Sequence, residues 1–195
     1  GNNARWSDGN PVTAHDFVYA WRRLADPATA SPYSWFADIM ALENVGAVMS
    51  GESPPEALGI RALDNHTLEV RLTASLPYFA AMTTHASTFP SPQWTVRTFG
   101  DNWTKPGNIV GNGAYVLTEH IPNETATRER NTMYWNNDAT ILDKVVTLVI
   151  NDENTDFTRW EAGETDKGAV PSGQYPRLKA EYPDEAISFP RLCTY

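Results

Sequence analysis

Apolar residues come in short runs along this chain, and prolines cut the runs into elements of two periodicities. Phe17, Trp21 and Leu24 fall on one helical face, which Asp26-Pro27 brings to a stop. Thr13 followed by Asp16 is a capping-box variant, with Asp standing where Glu or Gln is usual, so a helix is predicted to start there. A second helix opens after Pro32, with Trp35, Phe36 and Ile39 at helical spacing. Residues 59–73 switch to alternation: Ile60 and Ala62, a turn at Asp64-Asn65, then Leu68, Val70 and Leu72, which is a hairpin pattern. A short apolar helix follows Pro77 through Tyr78, Phe79 and Met82. Residues 87–92 read as a crossing between units, and Gln93–Phe99 as a helix.

Residues 113–120 and Thr125–Arg130 form a second predicted hairpin around Pro122-Asn123-Glu124. The nearly continuous apolar run 145–150 predicts a strand covered on both faces. Thr155 or Asp156 is expected to cap a helix holding Phe157 and Trp160, with Gly163 just past its end. A helix around 174–181 and a final strand at 186–189 complete the pattern. Helices mixed with hairpins and a buried strand predict an α/β (mixed α+β) architecture.

Composition narrows the function classes. Seven Trp, eight Tyr and seven Phe are many for 195 residues, and because aromatics keep a polar handle some are expected to line a cleft rather than fill a core. Fifteen basic against 24 acidic residues give a net charge of −9, and no basic stripe interrupts the acidic surface, so nucleic acid is not an expected partner. No apolar run reaches the roughly 20 residues of a membrane span, so direct membrane insertion of this segment is not expected either. With a single cysteine, Cys193, no disulfide forms within the chain; it is either a small buried apolar residue or a group whose partner lies in sequence beyond this one. The dense pattern right at the start, and a predicted strand just before Tyr195, read as a piece cut from a longer chain.

Candidate reaction chemistry is sparse. His15, His66, His85 and His120 lack metal-ligand spacing, and neither a Gly-x-Ser-x-Gly elbow nor a glycine-rich phosphate loop is present. Asp152-Glu153-Asn154-Thr155-Asp156 imitates the start of a calcium loop, but Phe157 stands where glycine must turn the chain and Gly163 where a bidentate Glu should be. A solvated turn leading into a helix is the better reading. Asn65 and Asn123 begin Asn-x-Thr triplets yet suit turns. No catalytic residue, metal or cofactor is assigned.

The first stretch carries a family resemblance. Residues 4–21, Ala-Arg-Trp-Ser-Asp-Gly-Asn-Pro-Val-Thr-Ala-His-Asp-Phe-Val-Tyr-Ala-Trp, resemble the signature of the extracellular solute-binding proteins for peptides and nickel. Leu24-Ala25-Asp26-Pro27 and Thr29-Ala30-Ser31-Pro32-Tyr33 are similar to the oligopeptide- and murein-peptide-binding members. The similarity runs on through Asp64-Asn65-His66-Thr67-Leu68-Glu69-Val70, Pro77-Tyr78-Phe79, residues 103–115, Glu129-Arg130-Asn131, Tyr134-Trp135-Asn136-Asn137 and Leu192-Cys193-Thr194-Tyr195. The same residues have a structural reading: Asp8-Gly9 turns, Pro11 stiffens the approach, and Thr13 caps the helix.

The resemblance implies a partial periplasmic-binding-protein type II-like fold, with residues 1–92 as the family's small extra domain and 93–195 as an incomplete part of the first main lobe. It implies a periplasmic carrier that captures oligopeptides and delivers them to the membrane subunits of an ABC permease, and not an enzyme. Murein-peptide, dipeptide, haem and nickel carriage stay open within the class; a carbohydrate-active enzyme or a non-transport interaction domain is the alternative outside it. Tyr33 matches a cleft-facing Tyr whose phenol would bond to peptide backbone, although it could equally pack on Trp35 or Phe36. Cys193 matches a cysteine that pairs with one in the missing part, so here it is expected to be free. Residues 167–171 are shorter than the family segment and lack its cleft-facing Tyr, and Arg191 replaces an aromatic. These two departures leave the peptide preference open, and Arg191 would favour an acidic group such as those of murein peptides.

Overall fold

Asp16 organises the start of the molecule. In the computed structural model, which describes residues 3–189, its Oδ2 accepts the Thr13 amide at 2.7 Å and the Trp6 indole N–H at 3.3 Å. The capping box thus opens α1 (Ala14–Ala25) while pinning Trp6 to it. The buried stripe of α1 is Ala14, Val18, Trp21 and Ala25 with Ala20 and Leu24, whereas Phe17 is only half-buried. The predicted face is therefore turned by one residue: Phe17 gives way to Val18 because the neighbours of α1 approach along the 14-18-21-25 line. Inside the core the Trp21 indole donates to the Thr88 carbonyl at 2.8 Å.

After α1 come two short helices, α2 (Ser34–Ile39) and α3 (Val45–Met49). α2 turns Phe36 and Ala37 inward, and leaves Trp35 and Ile39 half-exposed, contrary to the face predicted from their spacing. The first hairpin is present as β1 (Ile60–Ala62) and β2 (Leu68–Val70), antiparallel with Ile60 opposite Val70. Asp64 makes its turn by accepting the His66 and Thr67 amides at 2.7 and 2.8 Å, and these bonds hold its carboxyl below the usual range. Leu42 bridges to Leu72, and Gly59 passes so close to this segment that a Cβ there would sit 2.6 Å from the Glu43 Cβ. The core formed by Trp21, Leu24, Phe36, Met40, Leu42, Val48, Leu58 and Ile60 lies between α1, α2, α3 and the hairpin.

α4 (Phe79–Met82) follows, and its Phe79 meets Trp21 edge-on at 6.4 Å. α5 (Gln93–Phe99) comes next; its Trp94 meets Trp6 edge-on at 5.8 Å. A three-stranded sheet then has the order β3 (Tyr115–Ile121), β4 (Thr125–Arg130), β5 (Lys144–Leu148). Asn123 takes a left-handed φ of 61° at the β3–β4 turn, the role expected of it. β5 is present but is not covered on both faces, since Val146 is 51% exposed. α6 (Glu153–Glu161) and α7 (Tyr175–Glu181) close the described part. Among the described residues, no helix is long and apolar enough to cross a membrane.

The chain folds as two compact units. The first comprises the residues up to His120 with Thr127–Val146, the second Ile121–Ala126 with the residues from Thr147 onward. Two predictions for the second unit are corrected. The cap of α6 is Asp152, whose Oδ1 accepts both the Thr155 amide and hydroxyl at 2.7 Å, rather than Thr155 or Asp156. Residues 186–189 form no strand: Ala186 continues the turn after α7 through its amide bond to Tyr182, and Ile187 and Phe189 stay exposed without a ladder partner.

Candidate ligand-binding site

Tyr33 stands at the N-cap position of α2, where the left-handed Ala30 (φ 50°) and a bond from the Tyr33 amide to Ser31 Oγ at 3.3 Å turn the chain outward. Its ring lies 5.6 Å from His85 and 6.3 Å from Trp35. His85 in turn stacks on Phe36, with centroids 4.2 Å apart and planes at 19°, which ties this aromatic group to the core. The Ser87 amide donates to His85 Nδ1 at 3.3 Å. Tyr33 packs on Trp35, the structural alternative the sequence left open, and 49% of it remains exposed. A groove of about 310 Å³ runs beside it, lined among others by Arg23, Ser31, Ser87, Phe89 and Trp103. The guanidinium of Arg23 lies 5.9 Å over the Trp103 ring. An exposed phenol, a guanidinium and aromatic walls suit an extended chain, with hydrogen bonds for its backbone and apolar surface for its side chains.

The second unit contains a larger cavity, about 670 Å³, which no sequence motif announces. Phe157, Trp160, Val170, Leu178, Ile187 and Phe189 are among its walls. Phe157 stacks with Trp160 at 5.7 Å, and Tyr182 meets Trp160 edge-on at 5.0 Å. The Phe157–Trp160 spacing on α6 is the one signal of it in the sequence; that Tyr182, more than twenty residues on, completes the cluster is not legible there. The Tyr182 hydroxyl donates to Glu161 Oε1 at 3.0 Å, and this bond raises its pKa above the usual phenol value.

Residues 167–170 border this cavity. They are strapped to α6 by the Ala169 amide, which donates to Asp156 Oδ2 at 2.7 Å. At Gly168 a Cβ would lie 3.0 Å from that of Trp160, a tight contact that glycine avoids. In the calcium-like stretch, Asp152 serves as a helix cap and Asp156 as the acceptor of this strap. Arg191 and Cys193 lie outside the described residues.

The family model of the bacterial extracellular solute-binding proteins, family 5 Middle, matches residues 2–195. The periplasmic oligopeptide-binding protein of Salmonella typhimurium is 47% identical over 195 residues, 99% of this chain and 36% of its own length. The solved structure of the Escherichia coli murein tripeptide-binding protein superposes with a TM-score of 0.90 at 44% identity, over 94% of this chain and 36% of that one. The Haemophilus influenzae oligopeptide-binding protein, solved in complex with RPPGFSPFR, gives 0.88 at 44% identity, over 93% and 36%. The chain therefore spans about 36% of the length of the relatives it matches. Its mixed α/β fold is that of the corresponding part of these type II periplasmic binding proteins. With the family model matched over residues 2–195 and a relative 47% identical over 99% of the chain, the chain belongs to the bacterial extracellular solute-binding proteins of family 5.

Proposed function

We propose that this chain is part of a periplasmic binding protein that captures small peptides and delivers them to the membrane subunits of an ABC permease. The observation that carries the reading is the 0.88 TM-score, at 44% identity, to a binding protein in complex with a nine-residue peptide. Binding, not catalysis, is the activity proposed. Tyr33 is the local ligand residue: its phenol faces the groove, and no described protein group bonds to the hydroxyl. Arg191 is proposed as a second, biasing the site toward acidic peptides such as those of murein, and Cys193 as half of a disulfide completed elsewhere in the longer protein.

Residues 1–92 are proposed as the family's small extra domain and 93–195 as part of the first main lobe. The boundary proposed is the proline-rich link 87–92; the first compact unit itself runs past it to His120 and includes Thr127–Val146, and Trp94 of α5 packs on Trp6.

Calorimetry of the full-length gene product against neutral tri- and tetrapeptides and a murein tripeptide tests the reading. Saturable binding of peptide is expected, and Tyr33→Phe should weaken it by about 1 kcal/mol, the net worth of one hydrogen bond. Absence of binding to either peptide class would overturn the carrier reading. Neutral tripeptides that bind as tightly as the murein one would remove the role given to Arg191.

A further inference from the structure

Arg61, Arg71, Arg130, Arg159 and Arg177 are each paired with a carboxylate. Among the described residues, Arg22, Arg23 and Arg97 form no ion pair, although the chain carries a net charge of −9. All three line a single cavity of about 450 Å³ in the first unit, together with His15, Tyr19 and Gln93.

The sequence builds this wall by helical repeat. His15, Tyr19, Arg22 and Arg23 stand at i, i+4, i+7 and i+8 of α1, beside its buried stripe, and Arg97 comes from the last turn of α5. A helix C-terminus favours a cation, which accounts for an arginine at each helix end. It does not account for two helix ends bringing their arginines to one cavity with no carboxylate taking them. Among the described residues, neither acid that lines the cavity, Asp26 or Glu56, forms an ion pair with these arginines. Asp26 Oδ1 accepts the Ala28 amide at 2.9 Å, and Glu56 meets Arg22 through its backbone carbonyl, 3.2 Å from Nη2. Arg22 Nε is buried with no acceptor, so this guanidinium donates fewer bonds than it has available. Arg23 is steadied over Trp103 without being neutralised.

We propose that this cavity binds a small oxyanion of the phosphate class. Several planar guanidinium forks around one space match the oxygens of a doubly charged tetrahedral anion, and the neutral donors of Tyr19 and Gln93 add to them. The site is separate from the peptide reading, except that Arg23 also borders the Tyr33 groove. Arg97 does not border that groove and is exposed, so Arg97→Gln is the variant of choice.

The test is calorimetric titration of the full-length gene product with inorganic phosphate and with pyrophosphate at constant ionic strength. Hydrogen exchange followed by mass spectrometry then locates any protection. Saturable binding is expected, with protection in α1 and α5, and R97Q should weaken it roughly tenfold, the loss of a charge-assisted hydrogen bond. R22Q should act in the same direction, and peptide affinity should be unchanged in R97Q. A response that sodium chloride reproduces, or phosphate affinity unchanged in R97Q, would overturn the proposal while leaving the peptide reading intact.

Discussion

In the first unit Trp6, Met40, Leu42 and Val48 are at most 2% exposed, while in the second Phe157, Trp160 and Tyr182 stack on one another with their outer faces open. Both units contain amphipathic helices and ample aromatic residues. The difference lies in layers. α1 of the first unit is covered by α2, α3 and the β1–β2 hairpin, so its stripe is sealed from several directions. In the second unit α6 packs its Phe157 and Trp160 on Tyr182, just past the end of α7, and among its described apolar residues only Leu178 and Ala186 are buried besides Pro171. The lesson is that side-chain pattern supplies a face, and burial needs a second surface to meet it.

Removing a large ring from each unit should separate them most. Trp21→Ala leaves a cavity in a closed core and strands the Thr88 carbonyl, so a loss of about 4 kcal/mol is expected. Trp160→Ala removes a half-buried ring and should lose only roughly 1–2 kcal/mol. Urea unfolding followed by circular dichroism measures both, and equal losses would break the contrast.

Helix caps sharpen it at smaller scale. Asp16→Ala removes a buried acceptor shared by the Thr13 amide and the Trp6 indole, for an expected loss of about 2 kcal/mol. Asp152→Ala, at an exposed cap, should lower stability less, with the change confined to faster amide exchange in α6.

Acid should produce the smallest effect. The Thr155 hydroxyl and amide hold the Asp152 carboxyl below its usual range. The cap's contribution is therefore complete above the ordinary carboxylate pKa, about 4, and fades as pH falls through the lowered folded value. Amide exchange in α6 should quicken on acidification through that window, after correction for the intrinsic exchange rate. Asp152→Asn, which keeps an acceptor but does not titrate there, should flatten the response.

Much of the fold is legible in the sequence because its signals are local. The Thr13–Asp16 box, the Asp64 turn and the Gly163 stop each act within a few residues, and each is found where its motif stands. The candidate site is legible only as a resemblance that points to Tyr33. Its structural surroundings, His85 and Trp103, come from segments more than fifty residues away, which no spacing rule connects. Asp152 escapes notice as the cap of α6 because it opens the calcium-like run, which draws it away from the helix that follows.

By itself the sequence determined the family, the succession of helices and hairpins, and the abundance of aromatic residues. Only the tertiary structure decided that Val18 and not Phe17 faces inward, that Val146 stays in contact with solvent, and that three arginines with no ion pair among the described residues share one cavity. The reason is physical: periodicity fixes a face to within about one residue, since a helix turns about 100° per step. Which part of that face is buried depends on neighbours brought in from far along the chain.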